Sequence, residues 1–226
     1  MDYIRDSDID IVVLTEFRGT LASQKVLSGL ADQFPFVHTN QQPGPSANGV
    51  ALISRHEFRA EPATGVIAGE EHRWVEVVLT TTGLRVVGLY VPGSGATRES
   101  RAFKANFWAA MVAAAPALAE DTTVVIGDLN TGVHRVDETG ATFVCAEQFE
   151  KFGAILDDAW RQVHGDAARE SSWYSHAGNG FRIDHAFLSP SLAPVIRRSW
   201  YDHAPRTTGA TDHSMLLLDI DVPRRT

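Results

Sequence analysis

Apolar positions in this chain recur as short runs separated by turn residues, the pattern of strands with buried faces. The runs are IDIVVL (9–14), GVALISR (49–55), RWVEVVLTT (73–81), LRVVGLYV (84–91), TVVIGD (123–128), FRIDHAFLS (181–189), VIRRSWYD (195–202) and MLLLDIDV (215–222). In RWVEVVLTT, Val75, Val77 and Leu79 alternate with Trp74, Glu76 and Val78, so one face is buried and the other is only partly wet. The TTG that follows predicts a hairpin, with this strand antiparallel to the next.

Helical spacing marks fewer stretches: 23–34, 98–118 and 146–160. In the second, Phe103, Phe107, Met111 and Ala114 fall on one face until Pro116 intervenes, and Phe107 and Trp108 are expected in the core. Many strands with interspersed helices predict a layered α/β fold, with two facing sheets as one arrangement.

Composition changes this picture little. The 226 residues, 44% hydrophobic and 21% charged, suffice for a sizeable core, and no linker-like tract divides them, so residues 1–226 are read as one domain. The lone Cys145 excludes an internal disulfide. No apolar run is expected to span a membrane, and the acidic start MDYIRDSDID does not resemble a signal peptide, so a cytoplasmic monomer with no membrane partner is the default. The net charge of −8 argues mildly against a strong duplex-DNA binder. It argues less against a nuclease, because a divalent-metal site itself gathers carboxylates.

Acidic and imidazole groups stand at four strand ends: Glu16, Asp128 with Asn130, Asp184 with His185, and Asp212 with His213. Singly, each is an ordinary turn composition. Together they fit phosphate ester hydrolysis, which needs hard oxygen ligands for magnesium, a group that deprotonates water and donors for the phosphate oxygens. Glu16 and Asp212 could supply ligands, Asp128 a base, and Asn130 and His213 donors. His185, next to Asp184 on a strand, is expected to face away and pack. The glycine clusters GPSANG and GSG are too weak to read as phosphate loops.

The series DIVVLTEFR, GVALISR, LYVPGSG, TVVIGDLN, SSWYSHAGNGFRIDHAFLS and TDHSMLLLDI resembles the endonuclease/exonuclease/phosphatase superfamily of DNase I-like proteins. NGFRIDHAFLS, SSWYS and RAFKANFWAAM most resemble the exonuclease III-type apurinic endonucleases. The resemblance implies a four-layered α/β sandwich of two packed, mainly antiparallel sheets, with the site at one end. It implies Mg2+ or Mn2+ as cofactor, a metal carboxylate at Glu16 and a further acid near the metal at Asp212. Asp128 matches the residue that activates water, Asn130 its partner, His213 the phosphate-binding histidine and Asp184 the carboxylate that orients it. Tyr90 matches a phosphate-contacting tyrosine. Phe181 matches an aromatic lining an abasic-sugar pocket, although an aromatic opening a strand is as readily packing. Arg98, Arg101, Lys104 and Arg182 could touch phosphates or simply be solvated charges.

Three departures from that family accompany the resemblance. Its opening strand, which ends in Asn, is missing; VPGSG replaces a loop that often carries Asn after the proline; and the chain is short for the group. Three functions are therefore carried forward: a DNA nuclease of apurinic-endonuclease character, a small-molecule phosphatase or phosphodiesterase using the same centre, and a catalytically weak binding protein.

Overall fold

The computed structural model describes residues 2–40, 44–65, 67–140 and 142–223. A four-residue helix, α1 (Asp2–Arg5), precedes β1 (Ile11–Phe17), α2 (Leu21–Leu30), β2 (Phe36–His38), β3 (Gly49–Ser54), β4 (Phe58–Ala60), β5 (Trp74–Leu79) and β6 (Arg85–Tyr90). The long helix α3 (Arg98–Glu120) leads to β7 (Thr123–Asp128), α4 (Ala146–Gly153), β8 (Asp157–Asp158) and α5 (Ala159–His164). Next come β9 (Trp173–Tyr174), β10 (Gly180–Phe181), β11 (Asp184–Leu188), β12 (Ile196–Asp202), α6 (Ala204–Thr207) and β13 (Met215–Ile220).

The main sheet has six strands in the order β4-β5-β6-β7-β11-β8, antiparallel except for the parallel pair β6 and β7. Opposite it lie a three-stranded sheet, β1-β3-β2, and the β12-β13 ribbon. Strands with apolar residues on both faces must be covered twice, and they are. Phe107, Trp108 and Met111 of α3, with Phe149 and Phe152 of α4, cover Trp74, Leu89, Val125 and Phe187 on the outer face. Val50 and Leu52 meet Val77, Val86 and Val124 between the sheets. Leu27 and Leu30 of α2 cover Val12 and Ile53 on the far side. The result is the expected helix–sheet–sheet–helix sandwich.

Close approach between layers explains one glycine. A Cβ on Gly88 of β6 would stand 2.8 Å from a Val13 methyl on the facing sheet.

Most elements fall where the hydrophobic pattern puts them, including the antiparallel β5–β6 hairpin across Thr80–Leu84. Three expectations change. The helix expected over 146–160 stops at Gly153, and Asp158 caps a separate helix by accepting from the Trp160 and Arg161 amides at 3.0 and 3.1 Å. Glu76 is not partly wet but wholly buried, because its carboxylate accepts from the Trp74 indole at 3.1 Å, from Thr64 and from Arg85. Finally, α3 is long and apolar enough by composition to cross a bilayer, yet its apolar side is the lid on the main sheet and Lys104 is buried in it. Among the described residues no strand joins β1 to β13; each is hydrogen-bonded to one neighbour only.

Candidate active site

Strand register assembles the site. The parallel pairing of β6 and β7 sets Tyr90 beside Asp128, and the antiparallel pairing of β7 and β11 sets Asp128 beside Asp184. Three functional side chains thus stand in one row at the end of the main sheet, on one of its faces. Gly127 makes this possible: its φ is 156°, and a Cβ there would lie 1.9 Å from the Leu89 carbonyl oxygen of β6.

Asp128 is buried, and its carboxylate is gripped twice by Asn130. The Asn130 backbone N–H donates to Oδ1 at 2.9 Å and its Nδ2 donates to Oδ2 at 2.9 Å. Asn130 folds back this way because it adopts the left-handed conformation, with φ 48°. Its Nδ2 also donates to the Val91 carbonyl at 2.9 Å, so both amide protons are engaged. Asn130 therefore holds Asp128 in place and is not the free donor expected from sequence. Beneath it, Lys104 donates its ammonium to the Asn130 carbonyl; burial pulls this lysine down to about 8 despite the nearby Cys145 and Asp128. Lys104 supports the turn from below and is not placed to touch a phosphate.

Burial pushes the Asp128 carboxyl well above the usual range, with the charges of Asp184 and Glu16 acting in the same direction. His213 and the Asn130 amide oppose the shift.

His213 binds Asp184 through Nδ1, 2.9 Å from Oδ2. Burial would lower this imidazole, but the bond to Asp184 and the charges of Asp184, Asp128 and Asp212 outweigh it and raise it to about 9. The ring is cationic at neutral pH, with Nδ1–H committed to Asp184 and Nε2–H available to a ligand.

Glu16 reaches the row from the opposite sheet. It sits in an irregularity of β1 between Leu14 and Phe17, with φ 53°, and is exposed. Tyr90 Oη donates to its Oε1 at 3.0 Å and accepts from Asn48 Nδ2 at 3.4 Å. Burial, helped by Glu16 and Asp128, pushes the phenol up to about 12, so Tyr90 remains a donor.

The other expected residues divide. Phe181 packs against Phe143 and Trp173, with ring centres at 5.7 and 5.6 Å, and Trp173 lies 6.4 Å from the His213 ring. Half-buried aromatics thus adjoin His213. Asp212 is exposed and accepts from the Trp173 indole at 3.0 Å, which ties it to the aromatics. Arg98 stands exposed at the first position of α3. Arg182 corrects the expectation: it is fully buried, donates to Asp137 at 2.7 Å and to Asp158 at 2.7 Å, and cannot reach a substrate. His185 packs as expected, its Nε2 donating to the Thr131 carbonyl at 2.8 Å. Asn48 and Trp173 were not expected at the site. Asn48 lies in a glycine-rich turn with no motif of its own, and Trp173 reaches His213 through an isolated strand bridge between residues far apart in sequence.

Among the described residues no three His, Cys, Asp or Glu side chains form a ready-made metal cage. The donor set does fit a magnesium-type ion, which takes one or two carboxylates and keeps its waters. Glu16 is an exposed carboxylate beside two buried ones whose mutual repulsion a cation would relieve.

The sequence model of the Endonuclease/Exonuclease/phosphatase family matches residues 1–213. No curated protein is a sequence match. Among solved structures, an AP endonuclease from Archaeoglobus fulgidus superimposes with a TM-score of 0.83 at 20% identity, over 97% of this chain and 92% of that one. A 3'-5' exonuclease, NExo, from Neisseria meningitidis gives 0.80 at 22% identity, over 96% and 91%. A Neisseria NExo variant described as a 3' phosphatase bound to a product DNA hairpin gives 0.82 at 21%, over 97% and 92%. At these identities the likeness is one of fold.

Proposed function

Because the chain belongs to the endonuclease/exonuclease/phosphatase family, we propose that it is a divalent-metal-dependent phosphodiesterase acting on DNA. The observation that carries the proposal is the row Tyr90–Asp128–Asp184, with Asn130 fastened to the middle carboxylate and His213 to the last. One carboxylate is held at a raised pKa next to an imidazole held cationic, an acid and a base set apart by their surroundings.

In this reading Asp128 accepts the proton of the attacking water while Asn130 fixes the carboxylate's orientation. His213 donates Nε2–H to a phosphate oxygen and carries positive charge where negative charge develops; Asp184 keeps the ring in that pose. Tyr90 donates to Glu16 and faces the same space, so it can turn its hydroxyl to the phosphate. A magnesium-type ion, when bound, would sit on Glu16 and neutralise charge on the phosphate. Phe181, Trp173 and Phe143 offer apolar surface for a sugar or base next to the scissile bond, which favours a damaged or unstacked nucleotide over an intact pair.

A second reading, hydrolysis of small phosphate esters at the same centre, draws support from the net charge of −8. Incubation with magnesium and an oligonucleotide carrying one abasic site separates the two. A single nick at the abasic site is expected. Intact oligonucleotide with turnover of small esters would transfer the proposal to the second reading, and inertness toward both would overturn each.

A further inference from the structure

Asp184 and His213 lie 29 residues apart, and one residue outside both of their strands joins them. Ser172 stands just before β9 and is fully buried. Its Oγ accepts from the backbone N–H of Ile183 at 3.1 Å and of Asp184 at 3.2 Å, and donates to the Phe181 carbonyl at 3.4 Å. A hydroxyl has one proton and two lone pairs, so this one is used to capacity. The Ser172 backbone is committed as well. Its N–H donates to the Phe181 carbonyl at 2.8 Å, and its carbonyl accepts from the Ser214 N–H at 2.7 Å, beside the bridge of Trp173 with His213. Ser172 thus grips Asp184 through its hydroxyl and the His213 segment through its carbonyl. Tyr201 Oη fixes Asp184 from the other side, donating to its carbonyl at 2.5 Å. Ser214 is held in turn, its Oγ accepting from Arg206 Nε at 3.0 Å and meeting His203 Nδ1 at 2.7 Å.

We propose that Ser172 is a positioning residue: it sets the backbones of Asp184 and His213 at the separation at which the imidazole meets the carboxylate. That contact, His213 Nδ1 to Asp184 Oδ2 at 2.9 Å, crosses from the main sheet to the β12-β13 ribbon. Strand register places Asp184 beside Asp128, but β11 and β13 are not paired, so register leaves the distance from Asp184 to His213 free. Ser172 closes that distance from a third segment. A hydroxyl is needed because two amide protons converge on one buried point, and an apolar side chain would remove the acceptor of both. The Ile183–Asp184 turn would then shift to find another. A misplacement of about 1 Å in a group that meets the reacting phosphate costs about a hundredfold in rate. That consequence rests on the phosphodiesterase reading, whereas the positioning of the pair does not.

Proton NMR of the whole chain tests it without any need for cleavage. The His213 Nδ1–H, held by Asp184, should give a slowly exchanging imidazole resonance far downfield that His213→Gln removes. It should persist in Ser172→Thr, which keeps the hydroxyl. It should exchange at least tenfold faster in Ser172→Ala and in Ser172→Cys, whose thiol fills the space but accepts weakly. Absence of the resonance from the unaltered chain, or unchanged exchange in the folded Ala or Cys protein, would overturn the proposal. Turnover of an abasic oligonucleotide with magnesium supplies the second readout. In Ser172→Cys, kcat should fall about tenfold to a hundredfold with KM within about threefold, and Ser172→Thr should restore it. Added to His213→Gln, Ser172→Cys should lower the rate no further. An equal further fall in that background, or a lowered melting temperature with kcat unaltered, would leave Ser172 a purely structural role. An unaltered chain that cleaves nothing would count against the phosphodiesterase reading alone, and the imidazole proton would still decide this one.

Discussion

Asp128 and His213 answer to pH in opposite senses. The base must be ionised, and its pKa is raised by burial and by Asp184; the imidazole must be protonated, and it is raised to about 9. Cleavage should rise as pH climbs through the value of the carboxylate and fall as pH passes about 9, a bell whose limbs belong to the coupled pair. Asp184→Asn should move the alkaline limb down toward neutrality; an unmoved limb would show that His213 does not set it. Linkage runs in the same direction for this histidine. Its proton is bound more tightly in the folded chain, so the stability it contributes is complete below its ordinary 6.5 and is lost as pH rises through about 9. Lys104 offers a different test, since it touches Asn130 and no open surface. Lys104→Met should lower kcat by about tenfold to a hundredfold through a misplaced base, with KM little changed. A raised KM with unaltered kcat would mean that the lysine binds substrate. The four acidic strand ends were legible in the sequence because they adjoin apolar runs, Glu16 and Asp128 after theirs and Asp184 and Asp212 at the start of theirs. The roles of Lys104, Asn48 and Arg182 were not, because whether a polar side chain is free or bonded to a carbonyl, a phenol or a carboxylate depends on which segments far off in sequence fold against it.

Elements position these residues through pairing and caps. Register, which no local pattern encodes, places Tyr90, Asp128 and Asp184 abreast. Turn chemistry was readable for the Thr80–Leu84 hairpin, yet the break after Gly153 was missed, because the apolar spacing continues through it while Asp158 starts a new helix. That helix is anchored by ion pairs: Arg161 and Arg182 share Asp137, and Arg182 also binds Asp158. Burial would raise the Asp158 carboxyl, but Arg182 and His185 hold it well below the ordinary range. Stability drawn from this pair is present above the usual carboxylate range and declines as pH falls below it. Arg182→Met leaves Asp158 without its arginine and Asp137 with Arg161 alone, and should cost about 3–5 kcal/mol in denaturant unfolding at neutral pH. A loss below about 1 kcal/mol would return Arg182 to the surface role that the sequence suggested.

At the scale of the molecule, the four layers were foreseeable from strands apolar on both faces, since such strands need cover on each side. That β1 and β13, unpaired with each other among the described residues, line one groove together with His213 is a fact of the packing. Net charge sets the expectation for substrate affinity. With −8 overall, and with Lys104 and Arg182 buried inside the fold, carboxylates outnumber the cations that could meet phosphates. The logarithm of DNA affinity should therefore fall with the logarithm of salt with a shallow slope of about −1 to −2, one or two phosphates' worth. A slope steeper than about −5 would contradict this expectation.

The central claim is that the Asp128 carboxylate, held by Asn130 in this row, activates the water that cleaves a phosphodiester. It is tested most directly by the magnesium-dependent rate of cleavage of an oligonucleotide with one abasic site, measured for the unaltered chain and for Asp128→Asn. Asparagine keeps the shape and loses the base, and the account predicts cleavage by the former and a fall of about 10³ or more in the latter. An Asp128→Asn protein that cleaves within a few-fold of the unaltered chain would contradict it.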